Sequence, residues 1–467
     1  MVPQSYLEDA SGFQGTADEL FVPSTEDELL PILRQAGQSG TPVTIAGAGT
    51  GVAGARCAQG GWVISLEKFR HIAIHEGYAV VGAGALLKDV QSAAAAKGQM
   101  YAPDPTENSS AIGGNIACNA SGSRSFRYGD TRRHIRALRV ALMDGTILDL
   151  RRGQPAPFEI PAIPMPATSK HSAGYWMRPG MDYLDLFIGS EGTLGVVTEA
   201  ELQLLPATPH LLTGVIFFPT EESALDAVAC WREVDRLRML EYLDAGSLRL
   251  LRPKYDDIPA QAQAGPKYDD IPAQAQAALL IEQELDSEDS PEFDAWDARL
   301  SDCPALYEAS WFAATAADRE RFRRFRHALP EAVNDTVRRG GFLKLGSDYA
   351  VPFARNREMM SFYRASLDRS FPGRYVIFGH IGDAHVHVNI LPRSAEDFER
   401  GKSAMTEFAR HAVALGGTVG AEHGLGKRKA HLLELQYTPQ QLEAMKSVKR
   451  RLDPQWLLGR GTLFKYE

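Results

Sequence analysis

Three histidines fall within eight residues in the run Val376-Ile377-Phe378-Gly379-His380-Ile381-Gly382-Asp383-Ala384-His385-Val386-His387-Val388-Asn389-Ile390. From Ala384 onward polar and apolar residues alternate. Strand geometry would therefore put His385, His387 and Asn389 on one face and Val386, Val388 and Ile390 on the other. Such a strand is one wall of a pocket. Further on, Gly420-Ala421-Glu422-His423-Gly424-Leu425-Gly426 sets an acid beside a histidine in a glycine-flanked turn. Two histidines and a carboxylate leave open positions on a divalent ion, the arrangement of a catalytic rather than a structural zinc. His380, His387 and Glu422 are the expected ligands, zinc the expected metal, and His423 the remaining base of near-neutral pKa. A lone strand histidine is more often a hydrogen-bonded core residue; three of them and a Glu-His pair weigh against that.

A second concentration of chemistry lies at Pro42 to Gly54, PVTIAGAGTGVAG. Small residues from Ala46 to Gly51 leave successive backbone N–H groups uncovered, so they can form a concave nest for an anion such as a pyrophosphate. Gly49, Gly51 and Gly54 also spell G-x-G-x-x-G. That dinucleotide fingerprint needs a helix directly after the glycines, whereas Trp62-Val63-Ile64-Ser65-Leu66 reads as a strand.

Around these sites the chain should form α+β domains. Pro23-Ser24-Thr25-Glu26-Asp27-Glu28, with a hydroxyl cap and an acidic first turn, starts a helix that puts Leu29, Leu30, Ile32, Leu33 and Ala36 on one face and stops at Gly40. Tyr78 to Val81 is an expected strand, followed by a helix from Leu86 to about Lys97. The segment 103–122, PDPTENSSAIGGNIACNASG, holds little that could build a core, and so long a loop is uncommon unless functional. Ile135 to Leu142 with Asp144-Gly145 reads as a strand and hairpin turn. In Asp185 to Thr198 a strand is expected to enter the Gly189-Ser190-Glu191-Gly192 turn and another to leave it. Leu204-Leu205-Pro206 marks a boundary, beyond which Gly214 to Phe218 and a helix from Glu221 to Val234 open a new pattern. The sequence PKYDDIPAQAQA occurs at 253–264 and again at 266–277. Used once, this repeat is no solenoid and reads as a surface insertion.

The formal net charge of −9 and the lack of a basic, aromatic-laced run speak against nucleic acid as a partner. No stretch of about eighteen uncharged apolar residues occurs. Cys57, Cys118, Cys230 and Cys303 stand far apart, as reduced thiols do. A cytoplasmic location is expected, compatible with a peripheral contact at the inner face of the membrane and with a homodimer.

PVTIAGAGTGVAG, PDPTENSSAIGGNIACNASG and DLFIGSEGTLGVVTEAELQLLP, in this order, resemble the FAD-binding domain of the vanillyl-alcohol oxidase and para-cresol methylhydroxylase superfamily. The resemblance implies a two-part FAD domain over residues 1–206, an α+β substrate (cap) domain over 207–410, and a helical C-terminal segment, 411–467, that completes the active site. It further implies that Ala46, Gly47, Ala48, Gly49, Thr50 and Gly51 hold the pyrophosphate. Pro105, Thr106, Gly113, Gly114 and Ser121 would line the isoalloxazine and ribityl region, with Glu191, Gly192 and Val197 completing the site. Members with covalent flavin carry histidine where this chain has Thr50, so FAD is expected to bind non-covalently.

G-H-x-G-D, a histidine seven residues beyond the first, and G-E-H-G-x-G in its variant form Ala421-Glu422-His423-Gly424-Leu425-Gly426 resemble the FAD-linked D-2-hydroxyacid dehydrogenases. In that group Gly-Asn is common where this chain has Ala384-His385, so His385 is a fourth ligand or a substrate contact. The substrate-pairing arginine best matches Arg326, whose planar fork suits a carboxylate. The bland alternative for Arg326 is a solvated basic helix face, since Arg319, Arg321, Arg323 and Arg324 surround it. Lys344 lies two residues short of the family lysine, and Asn389 joins the substrate face. The expected activity is oxidation of a D-2-hydroxy acid, D-lactate first, with proton transfer to His423 and hydride transfer to flavin. The electron acceptor would be a quinone, a cytochrome, an electron-transfer flavoprotein or an iron–sulfur subunit. Alternatives are a non-redox flavoenzyme of the alkylglycerone-phosphate synthase type and a flavin-carrying subunit without chemistry of its own.

Overall fold

A computed structural model describes residues 1–252, 271–287, 289–313 and 315–465, so most of the repeat at 253–277 lies outside the described residues. Contacts divide the chain into two compact units. The first holds Met1–Gly122, Tyr128–Ala207 and Gly416–Glu467; the second holds Ser123–Arg127 and Thr208–Leu415.

In the first unit the helix Glu26–Ser39 is fixed at both ends. Thr25 accepts the Glu28 N–H, three acids fill the first turn, and Gly40 closes it in the left-handed conformation. Its buried Leu29, Leu33 and Ala36 pack with Val43, Ile64 and Leu66, which seats the helix on a parallel sheet in the order Glu19–Phe21, Trp62–Ser65, Val43–Ala46. The element after the glycine loop is thus a strand, as its sequence requires. A five-stranded antiparallel sheet follows, in the order Ile72–His75, Tyr78–Gly82, Val196–Gln203, Ile135–Ala141, Ile147–Arg151.

Two expectations fail here. The segment 103–122 is not wholly irregular, because Ile112–Cys118 forms a helix whose Ile112 and Ile116 are buried on one side. No strand enters the Gly189–Gly192 turn either. Tyr183–Leu186 is a 3-10 turn, and Leu184, Leu186, Phe187 and Ile188 are all buried. Consecutive burial removes the alternation that a half-covered strand would need.

The second unit is built on a seven-stranded antiparallel sheet, ordered Trp311–Ala313, His210–Phe218, Ala277–Leu285, Leu237–Asp244, Tyr375–His380, His385–Ile390, Leu345–Gly346. The helix Ala316–Arg339 covers one face: Phe322, Phe325, Leu329 and Val333 pack against Val215, Phe217, Met239, Leu243 and Val376. No helix among the described residues is long and apolar enough to cross a membrane. All four cysteines are free thiols.

Candidate functional site

In the second unit the sheet register assembles the histidines. His380 pairs with His385 and Phe378 with His387 across two adjacent strands, and the three rings lie 4.6 to 5.5 Å apart by centroid. Each offers a ring nitrogen within 4.8 Å of the other two. Gly379 makes this possible: a Cβ there would come within 3.0 Å of the His387 ring, and its φ of +127° disfavours a side chain.

The partners of these rings assign their protons. His380 Nδ1 donates to Glu241 Oε1 at 2.5 Å, and His387 Nδ1 donates to the Ser347 carbonyl at 3.1 Å. An acceptor-only partner needs N–H opposite it, so in the neutral imidazole both Nε2 atoms carry the lone pair that a metal would take. His385 instead faces Asp348 Oδ1 through Nε2 at 3.1 Å, both groups being fully buried. The strand pairing sets Asn389 opposite Gly346, and Asn389 Oδ1 is buried with no protein partner. A Cβ on Gly346 would lie 3.0 Å from Asn389 Oδ1 and 3.5 Å from Lys344 Cε. Lys344, though short of the family position in sequence, thus shares the Asn389 face.

Arg326 does not belong to the solvated side of its helix. Arg323 and Arg324 are exposed, whereas Arg326 follows the sheet-facing Phe322 and Phe325 and donates from Nε to Glu241 Oε2 at 3.1 Å. Its side chain is 12 % exposed.

The first unit carries the remaining expected residues. Ala46 ends its strand and Gly47 to Gly51 form the turn after it, Gly49 with φ +83°. Pro105 and Thr106 precede the helix that contains Gly113 and Gly114, and Val197 lies in the outgoing strand. Ser121 Oγ donates to Glu422 Oε2 at 2.8 Å and the Gly122 N–H donates to the same oxygen at 3.0 Å. Glu191, at φ +53°, accepts the N–H groups of Leu425 and Gly426, each at 2.8 Å. Two loops far apart in sequence are thereby tied to one turn. His423 Nε2 stands 3.9 Å from Glu422 Oε1.

These residues suit a flavin nucleotide. A Cβ on Gly114 or Gly192 would meet nothing within 4 Å, and Ser110 Oγ and Asn115 Nδ2 are buried without a protein partner. Buried polar groups are hydrogen-bonded in native proteins, so a bound group or a water must complete both. The histidine set suits a divalent ion by its chemistry.

Sequence reasoning missed three residues. Lys170, 1 % exposed, donates to Glu422 Oε2 at 2.9 Å and to the Gly122 carbonyl at 3.2 Å. Glu241 and Asp348 hold His380 and His385. A lone acid inside Leu237-Arg238-Met239-Leu240-Glu241-Tyr242, a strand buried at every position, was the available signal for Glu241. Nothing comparable marks Lys170. Next to Lys170 in sequence, burial pushes His171 down to about 3, with Thr418 and Tyr437 hydroxyls at its two nitrogens; burial likewise pushes His134 down to about 4.

Residues 17–151 match a family model described as FAD binding domain, and residues 208–463 match FAD linked oxidases, C-terminal domain. The chain is 30 % identical to a D-lactate dehydrogenase of Anaerostipes hadrus, with 99 % of this chain and 93 % of that protein aligned. It is 30 % identical to the glycolate oxidase subunit GlcD of Bacillus subtilis (97 % and 90 % covered). Identity to a D-2-hydroxyglutarate dehydrogenase of Xanthomonas citri pv. viticola is 28 % (95 % and 88 %). A solved alkyldihydroxyacetonephosphate synthase matches in fold with a TM-score of 0.66 at 16 % identity, over 94 % of this chain and 75 % of that one.

Proposed function

The chain belongs to the FAD-linked oxidase family and is an FAD-dependent oxidoreductase, and from that premise we propose that it oxidises a small D-2-hydroxy acid, D-lactate first, to the 2-oxo acid. The observation that carries the reading is the pair of histidines, His380 and His387, whose Nδ1 protons are tied up so that both Nε2 atoms are donors. When bound, FAD supplies a hydride acceptor and a divalent ion supplies a Lewis acid for the hydroxyl and carboxylate oxygens of the substrate. His380 and His387 would hold the ion. Arg326 would pair with the substrate carboxylate, while Asn389, Lys344 and His385 line the same sheet face. Glu422 as the oxygen ligand and His423 as acceptor of the hydroxyl proton are retained on the sequence motif. Non-covalent FAD follows from Thr50, and the electron acceptor is an external carrier.

Anaerobic mixing of the purified protein with D- and L-lactate, glycolate, D-malate and D-2-hydroxyglutarate tests this directly. Loss of the visible flavin absorbance with a D-2-hydroxy acid is expected. Bleaching by none of them would overturn the reading in favour of a non-redox flavoenzyme.

A further inference from the structure

We propose that Glu241 is a positioning residue that sets the metal-binding histidine and the substrate-binding arginine with one carboxylate; the inference rests on the metal-assisted reading above. Glu241 sits in a strand whose every residue is buried, and it is itself 4 % exposed. An acid in such a place is costly unless both oxygens are satisfied. They are met by two residues of different elements: Oε1 by His380 Nδ1 at 2.5 Å and Oε2 by Arg326 Nε at 3.1 Å.

The placement is imposed by the sheet. Tyr242 pairs with Gly379 and Leu243 with Phe378, so continuing the antiparallel register sets Glu241 opposite His380. Met239 and Leu243, two residues to either side, face the core beneath the Ala316–Arg339 helix, and alternation turns Glu241 to that same face, where Arg326 reaches it. A slip of one residue would send the carboxylate to the other side of the sheet.

Each contact has a chemical consequence. A carboxylate on Nδ1 selects the tautomer with a lone pair on Nε2, fixes the ring's direction and raises its basicity as a ligand. The contact from Arg326 Nε at 3.1 Å holds the guanidinium to the same carboxylate. Rotation of either the histidine or the arginine would break its hydrogen bond to the acid.

Glu241→Gln, similar in shape but able to offer an acceptor to only one of the two partners, separates this from a purely structural ion pair. Full-length wild type, Glu241→Gln and Arg326→Ala are stripped of metal and titrated with Zn²⁺ against a chromophoric chelator. FAD content and melting temperature are recorded beside the titration. The expected result is a loss of about 10- to 100-fold in Zn²⁺ affinity for Glu241→Gln, with FAD content close to wild type. Arg326→Ala should keep its Zn²⁺ affinity and raise KM for the oxidised hydroxy acid. Wild-type Zn²⁺ affinity in Glu241→Gln would overturn the inference while leaving the metal site standing. Loss of FAD and melting temperature in step with Zn²⁺ would make the pair structural and overturn it as well. A wild type that binds no Zn²⁺ would remove the metal-assisted reading and the inference together.

Discussion

Lys170→Met removes one charge from a buried pair while keeping most of the side-chain stem. Lys170 Nζ lies 2.9 Å from Glu422 Oε2, with the two side chains 1 % and 8 % exposed. At an effective dielectric near 20 the Coulomb attraction at that distance is roughly 6 kcal/mol, and the cost of taking both ions out of water offsets much of it. Deleting one partner is different, because the Glu422 carboxylate stays buried without the lysine charge, while the Ser121 Oγ and Gly122 N–H contacts remain. Breaking buried pairs in this way costs about 3–5 kcal/mol. For a unit of this size that corresponds to a fall of about 6–20 °C in melting temperature. Scanning calorimetry with saturating FAD should show it, FAD being kept equal because ligand binding itself shifts the transition. The exposed Lys68→Met is the control, expected within about 0.5 kcal/mol of wild type. If Lys170→Met melts with the control, the lysine does not hold Glu422 and the account of that turn is wrong.

Other outcomes follow from the same geometry. Gly49→Leu should abolish flavin retention, measured by absorbance after gel filtration, since φ is +83° and a Cβ would displace the Arg56 guanidinium 2.0 Å away; a fully loaded variant would refute the loop assignment. Acid or heat should release the flavin into the supernatant, and flavin that stays with the precipitate would contradict the role given to Thr50. Burial holds His134 near 4 and His171 near 3, below the roughly 6.5 of an unfolded chain. The unfolded state therefore binds these protons first, so stability falls as pH drops from about 6.5 towards 4, by up to about 1.4 kcal/mol per pH unit for each histidine. Urea midpoints from pH 7.5 to 5 should show that slope, and it should flatten in His134→Gln/His171→Gln; an unchanged slope assigns it to other groups. His423→Ala should keep metal and FAD while slowing flavin reduction about 10²- to 10⁴-fold, whereas His387→Ala should lose metal. Equal metal loss in both would make His423 a ligand.

What could be read from the sequence was local. The hydroxyl cap, the stop at Gly40 and the apolar spacing act within one helix, and the structure has that helix at Glu26–Ser39, with Leu29, Leu33 and Ala36 buried and Leu30 and Ile32 only partly so. The alternation from His385 to Asn389 is likewise a property of one strand, and the strand runs His385–Ile390. The rule failed where burial is two-sided. Leu184 to Ile188 are hidden on every side, so their apolar run signals depth and says nothing of strand or turn. The Ile112–Cys118 helix was masked for the opposite reason, since Gly113 and Gly114 argue against a helix and only the Ile112–Ile116 pair argues for one.

The residues that hold the chemistry in place are the ones the sequence concealed, and there is a physical reason for it. A ligand histidine announces itself by type and by neighbours two residues away. Its carboxylate partner sits on another strand, 139 positions earlier for Glu241 and His380, and the lysine on Glu422 is 252 positions away. Their positions depend on a register that only the folded sheet and the paired loops establish, so no spacing rule reaches them. What the sequence does offer is a cost: a charged residue inside Leu237–Asp244, where every neighbour is buried, must be offset by a partner. A buried acid within such a strand therefore asks which basic or ligating side chain lies opposite it in register. For Glu241 the strand pairing answers with His380, and the face it shares with Met239 and Leu243 answers with Arg326.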